Sequence, residues 1–123
     1  MGKSYGLECP IAQTLDLLGD RWTLLLVRDL LKGKTKFKDF AESLEGIPLN
    51  LLAERLKLLE ASDVVVRTFY CEHPPRAEYN LTEKGKALAP VIRSISVWGR
   101  KYVLAEASEE SEEERSGVAA VVR

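Results

Sequence analysis

The chain has 123 residues, 46 % hydrophobic and 30 % charged, with a net charge of −1. That is the composition of one globular domain with its own core, and it excludes a disordered chain. The purely apolar runs are short, Leu24 to Val27 and Val118 to Val122, far below the roughly 20 residues of a spanning helix, which excludes a helical membrane protein.

The opening MGKSYGLECP lacks the apolar segment of a signal peptide. Two cysteines are too few for a disulfide scaffold. The expectation is a reduced, cytoplasmic protein. Charge divides the chain unevenly. Residues 1–104 carry 16 Lys and Arg against 13 Asp and Glu, whereas residues 105–123 carry two Arg against six Glu. The expected organisation is one domain over residues 1–104 and a flexible acidic tail over 105–123. Such a tail is a solubilising end or a competitor for a basic surface.

In chain order, residues 10–18 are predicted as a first helix. Pro10 suits its first position, where the missing N–H has no helical partner, and Ile11, Leu15 and Leu18 recur at helical spacing. Gly19-Asp20 interrupts. Residues 21–32 make a second helix, apolar on several sides and therefore buried on several sides, with Gly33 as its stop. Thr35 is predicted to cap a short third helix whose inward residues are Phe37, Phe40, Ala41 and Leu44. Gly46 breaks it.

Pro48 opens a fourth helix to about Ala61, with Leu49, Leu52, Leu56 and Leu59 on one side. Asn50, Ala53, Glu54 and Lys57 fall on the other side, and Arg55 lies on the flank. After Ser62-Asp63 the chemistry becomes β-branched and aromatic, predicting a strand over 64–71. His73 to Arg76, with two prolines, is expected as a turn, and Ala77 to Leu81 as the returning strand. Thr82 caps one long final helix over about 83–104.

A lone hairpin is marginal in water, so the ribbon must pack on the helices. The predicted fold class is α+β, mainly helical: a winged helix-turn-helix with a two-stranded wing and a long C-terminal helix. Other α+β arrangements share this element order.

The motifs narrow the choice. They are Cys9-Pro10; Gly19-Asp20-Arg21-Trp22-Thr23; Lys36-Phe37-Lys38-Asp39-Phe40; Leu51 to Leu56 (LLAERL); Pro74 to Gly85 (PPRAEYNLTEKG); and Trp98-Gly99. In order and spacing they resemble the HxlR-type regulators of the broader MarR-like winged-helix group, over about residues 9–99. The resemblance implies a DNA-binding transcriptional regulator that works as a homodimer through its first and last helices. The chain departs from the pattern at Asp20, where a second glycine is common, and at Ser62-Asp63, in place of Asp-Gly. It departs again at Asn50 and Glu54, where Lys and Gln are frequent. The last two bear on the operator sequence, the others on structure.

On double-stranded DNA each candidate side chain has a chemical part. Asn50 suits an adenine edge, Ala53 a thymine methyl, Glu54 cytosine N4, and Arg55 guanine or a phosphate. Lys57 meets backbone. Lys36 and Lys38, in a cluster with Lys32 and Lys34, neutralise phosphates, aided by backbone N–H donors where the third helix starts. Arg76 and, more weakly, His73 reach the minor groove or a phosphate from the turn. Two copies related by a dyad read a pseudo-palindrome. Ile11, Leu15, Val91, Ile95, Trp98 and Tyr102 are the candidate dimer interface.

Cys9 precedes a helix, whose positive end favours a thiolate. It is the candidate redox sensor, with an inert thiol as the other reading, and an unidentified small-molecule effector near the dimer interface is the other route of regulation. Cys71 and His73 have a C-x-H spacing, but two ligands do not close a zinc site, so no metal and no cofactor is expected. No triad, phosphate-cradling glycine loop or His-Glu-x-x-His is present, and an enzyme is not expected. The rival reading is a winged-helix protein-interaction module without DNA binding, suggested by the acidic tail and Glu54.

Overall fold

The structure, a computed structural model, describes residues 8–104, which fall into two units, 8–86 and 87–104. The expected tail over 105–123 lies outside the described residues.

In the first unit the order is α1 (Pro10–Leu18), α2 (Thr23–Leu31), α3 (Phe37–Ser43), α4 (Leu49–Ala61), β1 (Val65–Glu72), β2 (Pro75–Leu81) and a single helical turn α5 (Glu83–Lys86). Pro10 opens α1 and Cys9 is its N-cap, as the sequence predicts. The core is built from Leu18, Leu26, Val27, Leu30, Phe40, Leu44, Ile47, Leu52, Leu56, Leu59, Val64 and Val65. α2 and α4 contribute apolar stripes at helical spacing, α1 and α3 one residue each, Leu18 and Phe40, and β1 contributes at its first residue. Asp29 is buried within α2. Its Oδ1 accepts from the Arg28 guanidinium, which also donates to Ser43 Oγ on α3.

Leu49 is not part of the α4 core stripe. It is 60 % exposed, whereas Leu52, Leu56 and Leu59 are covered. Its angular position lies at the edge of the stripe, and in the first helical turn no neighbour closes over it. Nor does Thr35 cap α3. The N-cap is Lys36, without a side-chain bond. The α2–α3 loop is instead pinned by the wing, because Thr35 O accepts from Tyr79 N–H at 2.8 Å.

β1 and β2 pair antiparallel from Val65↔Leu81 to Glu72↔Pro75, with a bulge between Phe69 and Cys71. The expected four-residue turn is therefore shorter. Pro75 and Arg76 stand in the ladder opposite Glu72 and Cys71, a place open to proline at the first residue of a strand. Only His73 and Pro74 form the turn, so His73 does not share a strand face with Cys71.

Thr82 caps α5 through Gly85 N–H to Oγ1, 3.1 Å, and its hydroxyl bonds the carbonyl of Asp63 at 2.6 Å. The predicted single helix over 83–104 is interrupted. Ala87 and Leu88 form a turn, and α6 (Ala89–Gly99) starts afresh with Pro90 in its first turn. Proline has no N–H to bond the preceding turn, so it opens a new helix rather than continuing an old one.

The second unit is α6 followed by a π-helical stretch, Arg100–Leu104. No side chain of α6 is buried, and Val91, Ile95, Val97, Trp98, Tyr102, Val103 and Leu104 are all exposed. No helix among the described residues is long and apolar enough to cross a membrane.

Candidate nucleic-acid interface

The candidate reading surface is one face of α4. Leu52, Leu56 and Leu59 are committed to the core. Helical geometry then sends Asn50, Ala53, Glu54 and Lys57 outward, and all four are exposed. They present an amide, a methyl group, a carboxylate and an ammonium, which is the donor, acceptor and apolar mixture that base edges demand. Exposed Leu49 adds an apolar group in the first turn that the sequence pattern had assigned to the core.

Arg55 lies elsewhere. Its side chain is only 15 % exposed, and its Nε stands 3.7 Å from Asp20 Oδ2 in the turn between α1 and α2. Asp20 also accepts from Trp22 N–H at 3.0 Å and from the Thr23 hydroxyl. Burial pushes the Asp20 carboxyl up, but the bonds from Thr23 and Trp22 and the Arg55 charge outweigh it and hold it below the ordinary carboxylate range. The sequence pattern marks Asp20 as a helix interruption and a departure from the family's second glycine, without a partner. The signal was present in Asp20-x-x-Thr23, an acceptor followed by a hydroxyl at the start of a helix.

The basic cluster is joined to the wing. Lys36 Nζ sits 5.0 Å from the Tyr70 ring centroid, a cation–π contact. Tyr70 is the extra residue of the bulge, and a bulge re-aims a side chain relative to strict alternation. Tyr70 escaped the sequence reading because a bulge leaves no periodic trace. Lys38, His73 and Arg76 are exposed. Arg76 is paired with Cys71, the residue after Tyr70, so Lys36 and Arg76 flank the bulge. Arg67 on β1 reaches Glu60 on α4 at 3.6 Å, tying the ribbon to the end of the candidate reading helix.

The candidate dimer residues are exposed in each unit taken separately. Ile11 and Leu15 form an i, i+4 pair on α1, and Val91, Ile95, Trp98 and Tyr102 lie along α6 and its continuation. Trp98 and Tyr102 rings lie 5.3 Å apart. With Arg93, Ser94, Val97 and Lys101 they line an open cleft of about 380 Å³. Cys9 and Cys71 are both free thiols, half-buried. Among the described residues no three His, Cys, Asp or Glu side chains gather as metal ligands.

The HxlR-like helix-turn-helix family matches residues 17–107. An uncharacterized HTH-type transcriptional regulator of Bacillus subtilis, YvaP, is 42 % identical over 96 residues, covering 77 % of this chain and 89 % of its own. The reduced form of the B. subtilis transcriptional regulator YodB superposes with a TM-score of 0.66 at 37 % identity, covering 79 % of this chain and 96 % of that one. YodB has also been solved diamide-treated and quinone-bound. The redox regulator HypR in its reduced form gives a TM-score of 0.72 at 34 % identity, covering 80 % and 99 %.

Proposed function

The chain belongs to the HxlR-like helix-turn-helix family of transcriptional regulators, and from that premise we propose that it acts in the cytoplasm as a homodimer that reads a pseudo-palindromic operator with α4. The observation that carries the reading is the division of α4 itself. Leu52, Leu56 and Leu59 hold it in the core, while Asn50, Ala53, Glu54 and Lys57 are left exposed. Asn50 reads adenine, Ala53 touches a thymine methyl, and Glu54 accepts from cytosine. Lys57, Lys36 and Lys38 meet phosphates, and Arg76, with His73 beside it, extends the contact from the wing. One domain reads few bases. A dyad-related pair spans two half-sites about one helical turn apart, and the exposed apolar residues of α1 and α6 supply surface for that pairing.

Cys9, the N-cap of α1, is the thiol through which oxidants or electrophilic quinones change DNA affinity. Support comes from its half-buried place at the head of a helix carrying two of the proposed dimer residues, and from the redox forms in which YodB and HypR have been solved. Oxidation of two Cys9 thiols to a disulfide delivers two electrons and two protons to the oxidant. Addition of one thiolate to a quinone forms a carbon–sulfur bond, and the ring takes up one proton from water to end as the hydroquinone thioether.

The test is fluorescence anisotropy with the duplex upstream of the chain's own coding sequence and a scrambled duplex, across a salt series. Tight binding to the first alone, with a steep salt slope from counterion release, is expected. Diamide should change that affinity in wild type and in Cys71→Ser, and leave Cys9→Ser unmoved. Binding to no duplex at low salt overturns the DNA reading in favour of a protein-interaction module, to which the exposed Glu54 carboxylate is suited.

A further inference from the structure

Arg55 is the one candidate reading residue whose side chain the fold largely covers. Its Nε is buried and, among the described residues, has no hydrogen-bond partner. The Asp20 carboxylate at 3.7 Å is the group that balances its charge. Asp20 is itself held firmly. Oδ2 accepts from Trp22 N–H at 3.0 Å, and Oδ1 accepts from the hydroxyl of Thr23, which is completely buried. It also follows a tight helix end, where Gly19 N–H bonds Leu15 O at 2.9 Å. A fixed anion in the α1–α2 turn therefore faces a cation five residues along from Asn50 on α4.

A long cation held on the flank of a helix does two things. It further restrains the rotation that the core stripe of Leu52, Leu56 and Leu59 sets for that helix, and with it the direction in which Asn50, Ala53 and Glu54 point. It also withdraws one positive charge from the general attraction to phosphate. Base readout depends on ångström-level placement, whereas non-specific binding depends on charge alone. We infer that Asp20, acting through Arg55, is a positioning residue for the reading helix and raises discrimination between operator and other DNA. The inference rests on the DNA reading above.

The experiment uses the full chain with a duplex selected from a randomised library by the wild-type protein, and a scrambled duplex of equal length. Asp20→Asn keeps size and one acceptor oxygen but removes the charge. Arg55→Met breaks the pair from the other side and leaves the bonds from Trp22 and Thr23 to Asp20 intact, so it serves if Asp20→Asn folds poorly. Each variant is measured well below its melting temperature. Affinity for the selected duplex is expected to fall about tenfold, within the range of couplings between contacting residues. The double variant should be no worse than the weaker single one.

For Asp20→Asn, scrambled-duplex binding should hold or tighten, and the log–log salt slope should steepen by about 0.9 as Arg55 becomes free to meet a phosphate. A merely structural loss would lower both affinities together. Wild type that selects no duplex overturns the DNA reading and this inference with it. Wild type that selects one, with unchanged specificity in both single variants or strictly additive losses in the double, overturns this inference alone.

Discussion

Asp63 occupies a backbone position that its side chain does not favour. It has φ 67°, in the left-handed region where a Cβ crowds the following carbonyl. It follows the Ser62 C-cap of α4, where glycine is the common solution. The chain tolerates aspartate because Thr82 Oγ1 and the Val64 N–H to Leu59 O bond close the turn around it. Asp63→Gly is expected to stabilise the protein by about 0.5–1 kcal/mol, less the extra flexibility of glycine in the unfolded chain, read as a higher urea midpoint at unchanged slope.

Gly85 is the opposite case. It is buried, and an added Cβ would run into Val64 O and approach Leu81 Cδ2 to 2.7 Å. Gly85→Ala should cost about 1–3 kcal/mol, the range for overpacking, and lower the melting temperature. Asp20 adds a pH dependence. A carboxylate lowered in the folded state contributes stability above its unfolded pKa of about 3.9, which is lost as pH falls through the folded value. The gap in melting temperature between wild type and Asp20→Asn should therefore be full at pH 6 and shrink below about pH 4.

At the scale of elements, α4 divides its labour by face and the wing by register. Asn50→Ala should cost about 1–3 kcal/mol of discrimination at one operator base pair, while leaving stability unchanged because the side chain is exposed. Base-by-base substitution of the bound duplex reads this out. Lys36→Ala should instead weaken binding to every sequence alike and reduce the salt slope by about one. Tyr70→Ala should do part of the same, through the ammonium it positions.

The wing is the element that sequence reading described least well. Its strands were legible from β-branched and aromatic composition. The bulge at Tyr70 and the entry of Pro75 and Arg76 into the ladder were not, because register follows from pairing between strands and neither strand carries it alone. The break at Ala87-Leu88 was written in Pro90, which has no N–H to bond the preceding turn.

At the scale of the whole molecule, the exposed apolar residues ask for a partner. Trp98 at 60 % and Ile95 at 51 % exposure suit a surface covered by a second copy. Ile95→Glu should turn a dimer into a monomer by sedimentation and weaken operator binding far more than half-site binding. Sequence alone determined α1 to α4 in order, the two strands, the outward placing of Asn50, Ala53, Glu54 and Lys57, and the family, because these follow from local periodicity and short motifs.

Only the tertiary structure decided where Arg55 and Tyr70 went. Arg55 meets an anion 35 positions away in the chain, and Tyr70 meets the ammonium of Lys36, 34 positions away. A side chain that can point to water or to a distant partner is directed by what the fold brings beside it, and no local pattern in the chain encodes that meeting.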